Sequence, residues 1–482
     1  MKTAPRLLSS GTMLLPRQLF ADLQIEKILS AHAISVLQNP CEKQEIARRQ
    51  ELFVLLESDA VLEKVKRCLS ALVETERAIG LWKDAKTAID RYHLQANVIS
   101  AYIGACESLS SLSGSGSLLS DVADYYSSAD RQALLDVLRE DHQKIKTLLR
   151  KTYVSLLSMS DKDWLTPDYN AVSEFDQIAA CAQKLGLTTS KKKVLNTKID
   201  GSLSDAICGL YAAEVAEIEV LFAKYAGVDF YEPLVYIPEI KFFLEIYDFI
   251  QRAQMSGVPN CIPHIADNPH YTARELYDST LLAKNCQQII PSDVEFTEQE
   301  PFFFLTGANG GGKTTYLRAV GSNLVLFLAG CPVFAKEATI YPFDSVASHF
   351  PKDERFDHIG RLVEDLKRTT DMLSASDGKK AFLLFNETYS GTDDKRGFEL
   401  LKSTSDQISK ASYFCLYVTH FHEVMRTDYP VLSAEIDPAD ENKRTYRIIK
   451  SKGNASSYAI DILKKYRLDQ DSLRKRRACN GN

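Results

Sequence analysis

The sequence predicts an α + α/β chain, with an N-terminal helical region over residues 1–255 followed by an α/β domain over residues 256–482. From about residue 20 to 255 the chain is rich in Leu, Ala, Glu, Lys and Gln, with apolar residues three or four apart, which is helix periodicity. After Gly257-Val258-Pro259 it changes to short apolar runs separated by turn residues, then to alternating strand-like and helix-like segments. A glycine-rich loop at 307–312 joins one such run to a helix-like segment.

In the helical region, Ile46 to Leu72 places Leu52, Leu55, Leu62, Val65 and Leu69 on one broad face, a stripe that requires a partner helix. Ser108 to Ser117 has the Gly and Ser content of a flexible connector between helices. The break from Leu185 to Gly201 carries Lys191, Lys192 and Lys193 and reads as a solvated turn, with phosphate contact as the alternative. In the α/β region, Phe302 to Leu305, Ala381 to Phe385 and Phe414 to Val418 read as buried strands. Each ends in polar residues, where parallel strand ends line a ligand crevice.

A length of 482 residues implies two or three domains. A composition of 45% hydrophobic and 25% charged residues favours neither disorder nor a membrane class. No stretch reaches the roughly 18 apolar residues of a spanning helix. Met13 to Leu15 is too short for the apolar core of a signal peptide, so a cytoplasmic location with no membrane partner is expected. The ten cysteines form no C-x-x-C pair and argue against a zinc site or a disulfide framework. A net charge of −6 disfavours a basic nucleic-acid coat and leaves room for local patches, such as Arg474 to Arg477 near the end, which reads first as a solvated tail.

The chemistry concentrates on three motifs. Gly307, Ala308, Asn309, Gly310, Gly311, Gly312, Lys313 and Thr314 fit G-x-x-x-x-G-K-[ST] between a strand and a helix, the context of a phosphate-binding P-loop. Its N–H groups and the helix N-terminus cradle phosphates. Lys313 reaches the β- and γ-phosphates of ATP, the Thr314 hydroxyl ligates Mg²⁺, and Thr315 follows in the same turn. Asn386 and Glu387 end the second strand, where a metal-binding acid and a water-orienting acid are usual. Asn386 offers Mg²⁺ an amide oxygen without formal charge, so weaker retention is expected, and Glu387 is the candidate general base. His420, within Thr419 to Glu423, follows the third strand, where an imidazole can sense the γ-phosphate. Tyr277, upstream of the loop, either packs on the adenine or belongs to the core.

Thr306 to Arg318, Asn386-Glu387 with Ser390-Gly391-Thr392, and Thr419 to Glu423 resemble the ATPase of the MutS DNA mismatch repair family in order and spacing. Gly453 to Ile460 is similar to a segment near that domain's C-terminus, so the likeness runs from about 260 to 468. The helical half is similar, more loosely, to the family's core and lever helices, best at Glu45 to Leu62 and Pro238 to Ile250.

The resemblance implies an ABC-like P-loop NTPase that binds and hydrolyses ATP with Mg²⁺. It also implies a head-to-tail homodimer through the ATPase domain, with Ser390-Gly391-Thr392 at the contact, that closes on DNA in mismatch repair or related repair and recombination. Where the family carries a Ser-Thr-Phe signature this chain has Gly360-Arg361-Leu362, so Arg361 is the candidate trans cation. Phe296-Thr297-Glu298 and Phe421-His422-Glu423 match the family's Phe-x-Glu mismatch wedge only by chance. A shortened relative without the N-terminal mismatch-recognition module is expected. The alternatives are an ABC-class ATPase acting on a non-DNA partner, or a nucleotide switch with negligible hydrolysis.

Overall fold

The computed structural model describes residues 4–8, 11, 14–114, 116–151, 154–159, 162–167, 201–284, 289–351, 358–390, 393–437 and 440–451. Lys191 to Lys193, Gly391 and Thr392, Gly453 to Ile460 and Arg474 to Arg477 therefore lie outside the described residues. The chain divides into two compact units. One is Met1–Leu8 with Leu55–Lys241, and the other is Ser9–Val54 with Phe242–Asn482. This differs from the single division expected at residue 255, because Ser9–Val54 clusters with the α/β part.

The first unit is built from the helices Asp59–Lys83, Ala88–Ser110, Ser117–Tyr126, Ala129–Lys151, Gly201–Leu210 and Ala212–Ala223. On Asp59–Lys83 the buried residues Leu62, Val65, Cys68, Leu72, Thr75 and Ile79 recur three or four apart, the spacing that keeps one helix face against its neighbours. The stripe expected over Ile46 to Leu72 is two helices rather than one. Lys43–Leu56 ends before Ser58, whose extended backbone (φ −80°, ψ 117°) opens the next helix. The Gly/Ser stretch forms the connection from Ser110 to Ser117. One antiparallel hairpin, β1 (Val154–Met159) and β2 (Lys162–Pro167), interrupts the helical order and was not expected.

The second unit carries two sheets. The smaller contains β3 (His264–Ile265), β4 (Tyr271–Leu276), β5 (Ser292–Phe296) and β7 (Glu337–Ile340), in the order β3-β7-β4-β5. The larger contains β6 (Phe302–Thr306), β8 (Ser345–His349), β9 (Ala381–Asn386), β10 (Phe414–Val418), β11 (Val431–Asp437) and β12 (Asp440–Lys450), in the order β12-β11-β6-β10-β9-β8. Its strands are parallel except for the antiparallel β11–β12 pair. All residues of β6, β9 and β10 are buried, as expected of central parallel strands covered on both faces. Phe302, Phe304, Leu383, Phe385 and Tyr417 lie in one core cluster, in which Phe385 and Tyr417 stack at 4.7 Å.

The helix Lys313–Leu328 is buried on nearly every side, including Leu317, Val320, Leu324 and Leu328. A helix without a solvated face needs partners at its end as well as its flanks, because its last carbonyls have no intrahelical donors. The N-terminal segment supplies them. The Cys41 N–H donates to the Leu328 carbonyl at 2.8 Å, and the fully buried Arg49 donates to the Ala329 carbonyl at 3.2 Å and to Glu45 at 3.0 Å. A guanidinium at a helix C-terminus also complements the helix dipole.

Arg49→Met keeps much of the side-chain volume and removes these bonds. It should lower stability by about 2–4 kcal/mol, since a buried carbonyl loses its donor and the partly exposed Glu45 is left with Arg48. The urea unfolding midpoint measures this, and an unchanged midpoint would show that Arg49 does not tie the segment to the helix.

Candidate active site at the strand tips

Strand register sets this site. Val418 pairs with Leu305 on one side and with Asn386 on the other, so β6, β10 and β9 end level. Two further bonds continue the alignment past the strands: Glu387 N–H to the Val418 carbonyl at 2.9 Å, and Thr419 N–H to the Leu305 carbonyl at 3.0 Å. The glycine loop, Asn386-Glu387 and Thr419-His420 thus emerge side by side. On the far side of β6, Ser433 of β11 pairs with Thr306 and brings Ala434 under the loop.

The loop turns back sharply to start the helix at Lys313. Gly307 has φ +123°, and a Cβ there would stand 3.1 Å from the Ala434 nitrogen, so both the backbone and the space require glycine. Gly312, at φ +92°, caps the helix in the left-handed conformation. Residues 312–315, together with Asn309, Gly310, Glu387 and Tyr446, line an open cleft of about 380 Å³. Gly307, Ala308 and Gly311 form the loop's inner side, with Gly307 and Gly311 close to Ala434.

Lys313 is buried, and its Nζ donates to the carbonyls of Gly307 (2.8 Å) and Ala308 (3.2 Å) and to Asn309 Oδ1 (3.3 Å). Burial pushes its ammonium below the usual lysine pKa; Glu387 opposes that shift and Arg444 adds to it. Thr314 Oγ1 donates to Asn386 Oδ1 at 3.2 Å, placing two uncharged oxygens together beside the cleft. Such hard oxygens suit Mg²⁺, which keeps several waters and takes few protein ligands.

Glu387 has φ +51° and Tyr389 φ +63°, left-handed conformations that cost side-chain-bearing residues about 1–3 kcal/mol each. The turn that carries the candidate base is therefore held by its surroundings. The Thr388 hydroxyl bonds the Tyr417 hydroxyl, and the buried Tyr389 hydroxyl bonds Thr369 and Thr404.

Two predicted residues stand apart from the cleft lining. His420 follows the third tip, with its ring 4.3 Å from that of Phe421. Tyr277 is half-buried, its N–H bonded to the Phe334 carbonyl and its own carbonyl to Asn323 Nδ2, and it is not among the residues that line the cleft. Arg361 lies in the helix His358–Ala375, and its side chain is outside the described residues. Sequence reasoning missed Tyr446. It sits on β12 at φ +60°, with its Cα 3.8 Å from where a Cβ on Gly312 would be. The Thr-Tyr-Arg-Ile alternation signals a strand but not which loop that strand will flank.

Residues 303–477 match the sequence pattern described as MutS domain V. The chain is 31% identical over 138 residues to the DNA mismatch repair protein Msh2 of Dictyostelium discoideum, covering 28% of this chain and 15% of that protein. It is 27% identical over 191 residues to the endonuclease MutS2 of Solidesulfovibrio magneticus, covering 38% and 24%. It is 22% identical over 309 residues to the DNA mismatch repair protein MutS of Rickettsia africae, covering 62% and 32%. The chain thus spans less than a third of the length of these relatives. The aligned region contains the glycine loop, the Asn386-Glu387 tip and the His420 tip, so the cleft lies within the part of the chain that is similar to MutS domain V.

Proposed function

We propose that this chain binds ATP with Mg²⁺ in the cleft at the strand tips, hydrolyses it, and uses the cycle to close a homodimer on DNA in mismatch repair or a related repair or recombination process. The observation that carries this reading is Lys313, a buried ammonium resting on three neutral oxygens with Glu387 across the cleft. Those oxygens are weak partners for a desolvated cation, and triphosphate oxygens are strong ones.

On this reading Lys313 exchanges loop carbonyls for the β- and γ-phosphates, while the loop N–H groups and the helix N-terminus take the remaining phosphate charge. Thr314 and Asn386 are the residues that would hold Mg²⁺, which when bound would supply charge neutralisation at the phosphates. Glu387 orients the attacking water and accepts its proton, and His420 hydrogen-bonds the γ-phosphate. DNA as partner rests on the relatives named for DNA mismatch repair. Dimerisation through the ATPase domain is supported by the helix His358–Ala375, which exposes Val363 and Leu366. Among the described residues no helix is long and apolar enough to cross a membrane, and we place the protein in the cytoplasm.

Steady-state turnover and equilibrium nucleotide binding test this together. Lys313→Ala should weaken ATP binding at least about tenfold, and Glu387→Gln should keep binding while turnover falls about a hundredfold. Tight binding without turnover in the parent would leave a nucleotide switch in place of an ATPase. Affinity for matched, mismatched and branched duplexes, with and without ATP, tests the DNA partner; no change with nucleotide would remove the coupling.

Asn386→Asp adds a carboxylate 3.2 Å from the Thr314 hydroxyl. It should reduce the Mg²⁺ concentration for half-maximal turnover about tenfold. A titration superimposing on the parent's would take Asn386 out of the metal's surroundings.

A further inference from the structure

A chain of buried hydroxyls and one imidazole runs behind Glu387. Asp365 Oδ1 lies 3.2 Å from His349 Nε2, and His349 Nδ1 lies 3.2 Å from Thr369 Oγ1. The Tyr389 hydroxyl donates to Thr369 Oγ1 at 3.1 Å and stands 3.0 Å from Thr404 Oγ1. All five side chains are buried. For a neutral imidazole, proton counting gives the direction. Tyr389 gives its one proton to Thr369, so it accepts from Thr404. Thr369 then donates to His349 Nδ1, which leaves Nε2–H to donate to Asp365. Each of the four contacts then has one donor and one acceptor, which stiffens the chain.

The chain joins four elements that are distant in sequence: β8 through His349, the helix His358–Ala375 through Asp365 and Thr369, the turn after β9 through Tyr389, and the helix Asp394–Lys410 through Thr404. None of these five side chains lines the cleft. Tyr389 is only two residues from Glu387, and both hold left-handed backbone conformations. Between them, Thr388 is pinned to Tyr417, whose ring stacks on Phe385 of β9. The ring and hydroxyl of Tyr389 are thus placed to fix a turn that side-chain-bearing residues avoid when free.

We propose that Tyr389 is the positioning residue for Glu387: its hydroxyl, held by Thr369 and Thr404, sets the Glu387 carboxylate over the P-loop cleft and makes the helix His358–Ala375 a determinant of turnover. This rests on the reading that Glu387 acts on bound ATP. The role is specific to the hydrolytic step, because Lys313, Thr314 and the loop glycines are held independently of the chain.

The full-length protein is assayed with ATP and Mg²⁺ for kcat, KM and equilibrium nucleotide affinity, alongside its melting temperature. Tyr389→Phe, which keeps the ring, and Thr369→Val, which keeps the shape, should each lower kcat about tenfold, with KM and affinity within about twofold of the parent. Thr369→Ser, which restores the hydroxyl, should return kcat to within about twofold of the parent. The double variant Tyr389→Phe/Thr369→Val should lose little more than either alone, since one chain is broken in both. Folded variants with parental kcat would overturn the proposal, as would a kcat loss matched by an equal loss of nucleotide affinity. If Tyr389→Phe does not fold, Thr369→Val and Thr404→Val decide by the same criteria. The Glu387→Gln control separates the two levels: parental turnover that it abolishes upholds the underlying reading whatever Tyr389 does. A parent without such turnover ends both.

Discussion

The site depends on one constraint, the shared register of β6, β10 and β9. Three fully buried parallel strands, filled with phenylalanine, leucine and tyrosine, cannot slip by one residue without exchanging the side chains that face the two covering layers. Because Leu305, Val418 and Asn386 are held level, the glycine loop, Glu387 and Thr419 leave the sheet side by side, with the Glu387 N–H on the Val418 carbonyl and the Thr419 N–H on the Leu305 carbonyl. The polar chemistry is carried by residues one or two positions beyond the apolar runs, so core packing decides its geometry.

The same logic applies to the helix that begins at Lys313. Its N-terminus must keep free N–H groups aimed into the cleft, so it has no side-chain cap and starts from a left-handed glycine. Anchoring is displaced to the other end, where Cys41 and Arg49 satisfy the last carbonyls from a segment nearly three hundred residues earlier in the chain. One end stays open for a ligand because the other is closed by protein. This explains why Ser9–Val54 clusters with the α/β unit even though its sequence texture is that of the helical region.

What could be read from the sequence was what is written locally. The loop, the three strands and the helix after Lys313 are contiguous motifs, and their residues meet as their order implies. Tyr446, Arg49 and the chain from Asp365 to Thr404 act through contacts between distant segments, which periodicity does not encode. The hairpin Val154–Pro167 escaped because its two strands are six residues each, too short to outweigh helical texture on both sides. The long stripe from Ile46 to Leu72 misled because a helix-to-helix break at Ser58 barely disturbs a spacing of three and four. Tyr277 was placed by proximity in sequence alone. Its backbone is bonded to Phe334 and to Asn323 on the buried helix, contacts that lie outside the local motif.

Asn386 changes the charge balance of the cleft in a way that bears on which state is favoured at rest. An acid there would place a second carboxylate beside Thr314, next to the cleft. With asparagine, Glu387 is the only carboxylate among the described residues that line the cleft, and Lys313 settles on neutral carbonyls. On the proposed function, nucleotide phosphates would compete with weaker partners for the ammonium, while Mg²⁺ would meet a less negative environment. Asparagine would then shift the burden of binding from magnesium toward the lysine and the loop, and Glu387 would be the residue whose placement most affects the chemical step.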